Sequence, residues 1–153
     1  AQTQFQNLLH EACHFLAMEI CRDGEGATKI IKIEISGATS HKAAKQFAKT
    51  LATSPLVKTA IFGADPNWGR IIAALGRAGL PLHPNRLIIA FNGLPIVKDG
   101  KGLGPRREQQ IQTIMRHSSF TISVSLGLGT GVSTIWTTDL TYDYIKINAS
   151  YRS

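Results

Sequence analysis

The spacing of apolar residues changes across Asp23-Gly24-Glu25-Gly26-Ala27-Thr28-Lys29, where the chain turns from a helix into its first strand. Before the change, Phe5, Leu8, Leu9, Ala12, Phe15, Leu16 and Ile20 fall on one stripe, which predicts a strongly amphipathic helix over 3–22. After it, Ile31, Ile33 and Ile35 alternate with Lys32 and Glu34, the pattern of a half-buried strand. The glycines on either side of Glu25 let the backbone bend and leave the carboxylate unshielded by neighbouring side chains. Glu25 is then either a solvated loop acid that follows a helix stop or a carboxylate presented to a cationic group on a ligand. The local sequence does not choose between the two.

Downstream, Ser40 is placed to cap a helix whose inner face is Ala44, Phe47, Ala48 and Leu51. After Pro55, Val57, Thr59 and Ile61 on one side and Leu56, Ala60 and Phe62 on the other predict a strand apolar on both faces. Such a strand would be central in its sheet and parallel to the first through a right-handed crossover. Asp65-Pro66-Asn67-Trp68-Gly69-Arg70 reads as a helix start, with Asp65 as cap and Pro66 as the first helical residue. Within it Trp68 suits a buried anchor, and Arg70 suits an anion or a structural acidic partner. A strand over 87–91, a primed turn at Asn92-Gly93 and a return over 94–97 follow. An exposed loop over 98–104 leads to a helix opened by Pro105, with Ile111, Ile114 and Met115 inward. Phe120, Ile122, Val124 and Leu126 then alternate with Thr121, Ser123 and Ser125. Gly127-Leu128-Gly129-Thr130-Gly131 precedes another alternating stretch over 132–138, so it reads as a hairpin rather than a phosphate loop, which would open a helix. The pattern is α+β, a mixed β-sheet packed by helices, in one domain over 1–153.

Several function classes are set aside by composition. With 153 residues, 43% apolar and 18% charged, the chain is long enough for one real core and too apolar for disorder. It has no apolar run of membrane-spanning length and no signal-peptide pattern, which points to the cytoplasm. Cys13 and Cys21 sit in the first helix, separated by roughly 12 Å of rise, so they do not bridge and are expected as buried thiols. The net charge of +7 raises nucleic acid as a partner. Only Lys42, Lys45 and Lys49, and the pair Arg106 and Arg107, cluster, and aromatics make up 7%. A solvated basic face is the better reading, and a non-catalytic basic module binding nucleic acid or an acidic partner is the alternative function. His10-Glu11-Ala12-Cys13-His14 matches the H-E-x-x-H zinc pattern. A catalytic zinc needs a third protein ligand, and His41, His83 and His117 stand alone, so no metal is expected.

Four blocks carry a resemblance: Asp23 to Lys29, Ser54-Pro55-Leu56-Val57-Lys58-Thr59-Ala60, Asp65 to Arg70, and the ending from Asp139-Leu140-Thr141 through Asn148-Ala149-Ser150-Tyr151-Arg152-Ser153. In this order they resemble the C-terminal part of the second, beta chain of ornithine acetyltransferase. That family, also called bifunctional glutamate N-acetyltransferase, belongs to arginine biosynthesis. The resemblance implies transfer of acetyl from N-acetylornithine to glutamate through an acetyl-threonine intermediate. The threonine becomes the first residue of the second chain when a precursor cleaves itself, and its own amine can activate its hydroxyl. This sequence starts at Ala1, and Thr3 lacks the cleavage context, so the nucleophile is expected upstream and the chain alone is expected to be inactive. Thr138 stands where the family often has cysteine. The family's substrate-contacting positions match Glu25, Asn148 and Ser153. No cofactor is implied, although acetyl-CoA serves as acetyl donor in bifunctional members. The implied partners are the alpha chain and the remainder of the beta chain, two of each, with no nucleic acid and no membrane. For Glu25 to share a ligand with Asn148 and Ser153, the tail must fold back beside the loop, pinned by Tyr142, Tyr144 and Tyr151.

Overall fold

In the computed structural model, which describes residues 1–150, the alternation read from the sequence becomes one six-stranded sheet. Its strands are β1 (Ile30–Ala38), β2 (Ile88–Phe91), β3 (Leu94–Lys98), β4 (Lys101–Gly102), β5 (Ser119–Ser125) and β6 (Gly131–Thr138). They lie in the order β4-β3-β2-β5-β1-β6. β1 runs parallel to β5 and antiparallel to β6, with Ile33 level with Ile122 on one side and Ile135 on the other. Helix α2 (His41–Ala52) covers β1 and β6, and α5 (Pro105–Met115) packs on β3 and β5. The core between them holds Ile31, Ile33, Phe47, Leu51, Ile111 and Ile122, all buried. Each such side chain contributes about 1.5–3 kcal/mol relative to leaving it in water. The other sheet face carries Lys32, Glu34, Thr121, Ser123, Ser125 and Trp136, all half-buried.

Local signals held where a single residue dictates the backbone. Ser40 caps α2 by accepting the Ala43 N–H at 3.1 Å. Asn92 and Gly93 take φ of 47° and 79°, as a primed turn requires, and close the β2–β3 hairpin. Pro105 opens α5, and Ile111 and Met115 are buried. In the 98–104 loop, a turn at Asp99-Gly100 leads into the short strand β4.

Several expectations are corrected. Residues Pro55–Phe62 form helix α3, not a central strand. Val57, Ala60 and Ile61 are buried while Leu56 and Thr59 are exposed, which is helical spacing, and Pro55 sits at the first helical position, where its missing N–H costs nothing. The parallel partner of β1 is therefore β5. Second, 127–131 is not a hairpin, because β1 lies between β5 and β6. The loop crosses the end of β1, where Leu128 and Gly129 both donate to the Gly37 carbonyl, at 2.7 and 3.0 Å. Such a crossing spans two strand spacings, roughly 10 Å, within reach of five residues. Third, Asn67 rather than Asp65 caps α4 (Trp68–Gly76), accepting the Arg70 N–H at 3.3 Å. Within that block Trp68 is half-buried, its ring over Gly102, and Arg70 has no acidic partner among the described residues: it donates to Leu56 O at 3.0 Å and to the Thr59 hydroxyl at 3.3 Å.

The fourth correction concerns α1 (Gln2–Arg22), a helix as expected but one without a buried residue. Its stripe is open, with Phe5 65% and Ile20 74% exposed. The helix touches the sheet at β6, where the His14 ring lies 4.9 Å from that of Trp136. In consequence the thiols are not buried: Cys13 is exposed and Cys21 half-buried, and both are free. The described residues end with helix α6 (Tyr142–Ser150).

Candidate functional site

Glu25 stands at the tip of the connection between α1 and β1. The helix ends at Asp23, and the Ala27 N–H returns to the Gly24 carbonyl at 3.0 Å, closing a four-residue turn. Gly26 holds the third position of that turn at φ 64°, a conformation that favours glycine. A side chain there would also have no room, since a Cβ on Gly26 would sit 2.5 Å from the Tyr144 nitrogen. The loop thus lies against the first turn of α6.

One turn further along α6, Asn148 faces the loop. Its Nδ2 donates to Glu25 Oε2 at 3.0 Å and to the Tyr144 carbonyl at 2.8 Å. Residues 123 positions apart are thereby brought into one polar pair. Both are exposed. Among the described residues Glu25 has no salt-bridge partner; the ion pairs are Arg22–Glu19 and Lys32–Glu34. An unpaired carboxylate, with the Asn148 amide oxygen beside it, is suited to receive an ammonium through charge-assisted hydrogen bonds. Ser153, the third residue singled out in the sequence, lies outside the described residues, as does Tyr151.

The groups that tie the tail to the loop are not mainly the tyrosines. Tyr142 sets its ring edge-on to Phe62 at 5.5 Å but is 80% exposed. Asp139, 4% exposed, accepts the backbone N–H groups of Thr28 and Lys29 at 2.8 and 3.0 Å and also the Thr28 hydroxyl. The buried Thr141 donates its hydroxyl to Gly26 O at 2.6 Å and accepts the Tyr144 N–H at 3.2 Å, in the manner of a helix N-cap. Neither residue stood out as functional in the sequence. The available signal was a lone acid directly after an alternating strand, followed two residues later by a hydroxyl ahead of a helix.

Two lysines approach this carboxylate. Lys29 donates its ammonium to the last carbonyls of α3, Ile61 O at 2.7 Å and Phe62 O at 3.3 Å. Burial holds its pKa below the ordinary 10.5, while Asp139 pulls it upward. Burial lowers Lys58 in the same way, opposed by Asp139 and Cys21. Desolvation outweighs attraction at both sites.

Two concavities lie elsewhere among the described residues. One, of about 580 Å³, opens between the N-termini of α4 and α5, lined by Asp65, Asn67, Trp68 and Glu108 among others. Another, of about 370 Å³, lies behind the loop against Thr28 and Lys29. Glu25 and Asn148 are both on the exposed surface of the described residues. Among the described residues no three His, Cys, Asp or Glu side chains converge as metal ligands, and the ring of His14 packs on Trp136. No helix among them is long and apolar enough to cross a membrane.

The ArgJ family model matches residues 1–153. The chain is 46% identical over 150 residues to the arginine biosynthesis bifunctional protein ArgJ of Syntrophotalea carbinolica, covering 98% of this chain and 38% of that protein. To the protein of the same name from Staphylococcus aureus strain COL it is 45% identical over 149 residues, covering 97% of this chain and 36% of the relative. The chain thus spans less than two fifths of the length of these curated relatives. The crystal structure of arginine biosynthesis bifunctional protein ArgJ from Bacillus halodurans superposes with a TM-score of 0.91 at 42% identity, covering 97% of this chain and 70% of that one.

Proposed function

This chain belongs to the ArgJ family, and from that premise we propose that it forms the C-terminal substrate-binding portion of an acetyltransferase that moves acetyl from N-acetylornithine to glutamate. The observation that carries the reading is the Glu25–Asn148 pair, an uncompensated carboxylate and an amide joined at 3.0 Å from opposite ends of the chain. N-acetylornithine carries a free ammonium for the carboxylate, and its carboxylate and amide suit the polar groups of Asn148 and Ser153.

In the reaction, a threonine hydroxyl attacks the acetyl carbonyl and the ornithine amine leaves with the proton, giving an acetyl ester. The glutamate amine then attacks that ester and restores the hydroxyl. We assign this threonine to the part of the enzyme that the present chain does not match. The chain's share of the work is orientation: it holds the ammonium end of the substrate so that the acetyl group reaches the nucleophile, a contribution that depends on placement rather than on bond chemistry. No metal or cofactor enters this scheme, and acetyl-CoA is a second acetyl donor in bifunctional enzymes of this kind.

The open apolar faces support a further part of the reading. Phe5, Leu8, Leu16 and Ile20 along one face of α1, and Ile145 on α6, are each more than half exposed, and an exposed apolar stripe such as that of α1 marks an interface. We assign it to the alpha chain and the remainder of the beta chain, assembled two and two in the cytoplasm. The test is removal of residues 148–153 from the complete enzyme. Acetyl transfer is expected to collapse while the melting temperature of the domain holds, and the isolated chain 1–153 is expected to show no transfer. Normal transfer by the truncated enzyme would contradict the proposal.

A further inference from the structure

We propose that Asp139 is a positioning residue for the substrate site, setting the distance between the Glu25 loop and α6 without touching substrate itself. The inference rests on the reading of Glu25 given above. Asp139 is 4% exposed, so it is not a ligand-facing group. What it does is gather three donors from one side of the site: Oδ1 takes the N–H groups of Thr28 and Lys29 at 2.8 and 3.0 Å, and Oδ2 takes the Thr28 hydroxyl. These donors follow Glu25 by three and four residues, so they fix the base of the loop that carries it.

The segment around Asp139 is stitched on both sides. Its own N–H donates to Lys29 O at 3.4 Å, and the Leu140 N–H donates to Lys58 O at 3.2 Å, which draws in α3. Two residues on, Thr141 bonds Gly26 O and the Tyr144 N–H together. The backbone at Gly26 approaches α6 so closely that a Cβ would meet the Tyr144 nitrogen at 2.5 Å. The loop and the helix therefore form one rigid unit with Asp139 at its root, and Glu25 and Asn148 are its tips. A carboxylate suits this place because it accepts several bonds at once and is held by charge from Lys29 and Lys58. Loss of its bonds lets the loop move relative to α6, and a displacement near 1 Å is enough to cost kcat/KM on the order of a hundredfold.

The test uses the complete enzyme and four variants: Asp139→Ala, Asp139→Asn, Glu25→Gln and the double variant Asp139→Asn with Glu25→Gln. Asp139→Ala is expected to raise KM for N-acetylornithine by roughly ten- to a hundredfold, with kcat little changed. Asp139→Asn keeps one oxygen for the two N–H groups and is expected to recover part of that loss. Because Asp139 acts through Glu25, the double variant is expected to be no worse than Glu25→Gln alone. A purely structural role would instead give additive losses. If Asp139→Ala does not fold, Thr28→Val removes one of the donors with little change of shape and takes its place. A normal KM in the Asp139 variants beside an impaired Glu25→Gln would overturn this inference and leave the functional reading standing, as would strict additivity. A normal Glu25→Gln would remove the functional reading, and the inference with it.

Discussion

Lys58 shows how much of this molecule is decided by single side chains. Its ammonium is half-buried near Asp139 and Cys21, and desolvation wins, so its pKa in the fold lies below 10.5. The sign of the consequence follows directly. As pH rises, the folded chain sheds this proton before the unfolded chain does, so over that window the unfolded state binds more protons and stability increases with pH. The gain is complete above 10.5 and is lost as pH falls through the folded value. Denaturant unfolding from neutrality toward 10.5 is expected to show a smaller rise with pH in Lys58→Met than in the parent chain; superimposable curves would refute it. Residue-scale features were unevenly legible in the sequence. Glu25 stood out because glycines isolate it, and the Asn92-Gly93 turn because its backbone conformation excludes most residues. Asp139 did not, because its donors lie 110 and 111 positions away and local sequence carries no trace of them.

Elements were legible where they are long or marked by a cap. The isoleucine alternation of β1, the Ser40 cap and the proline start of α5 all became what their chemistry implies. The 55–62 stretch is eight residues of mixed apolar and β-branched side chains, a length at which strand and buried helix give similar patterns. Tertiary packing on α2 and α4 decided for the helix. The apolar stripe of α1 was readable as helical, but nothing in the stripe says what covers it. We expect the double substitution Leu8→Gln and Leu16→Gln, two side chains 59% and 60% exposed, to change the stability of the isolated chain by no more than about 0.5 kcal/mol. In the complete enzyme the same change should weaken assembly, read as loss of co-purification between the parts. An assembly of undiminished strength would show that this face is simply solvated.

At the scale of the whole molecule, the parallel pairing of β1 with β5 places the helix-to-strand loop at one end of the sheet, and the chain returns to that end after β6. That return makes one surface from residues near the start and near the close of the sequence. The α+β class was accessible from periodicity, whereas the parallel pairing, expected through the 55–62 helix, and the strand order were not, since alternating stretches joined by a short glycine-rich loop look alike whether they pair or straddle a third strand. The meeting of Glu25 with Asn148 was inferred from a family resemblance and not from spacing, and the hydrogen bond between them is the physical form of that meeting. It leaves a carboxylate whose charge no described residue neutralises. The most direct test is therefore the kcat/KM of the complete enzyme for N-acetylornithine with Glu25→Gln, measured beside a thermal melt. A fall of about 1.5–3 kcal/mol in transition-state stabilisation is expected, the range for a hydrogen bond to a charged group, with the melt unchanged. A kcat/KM equal to that of the parent enzyme would contradict it.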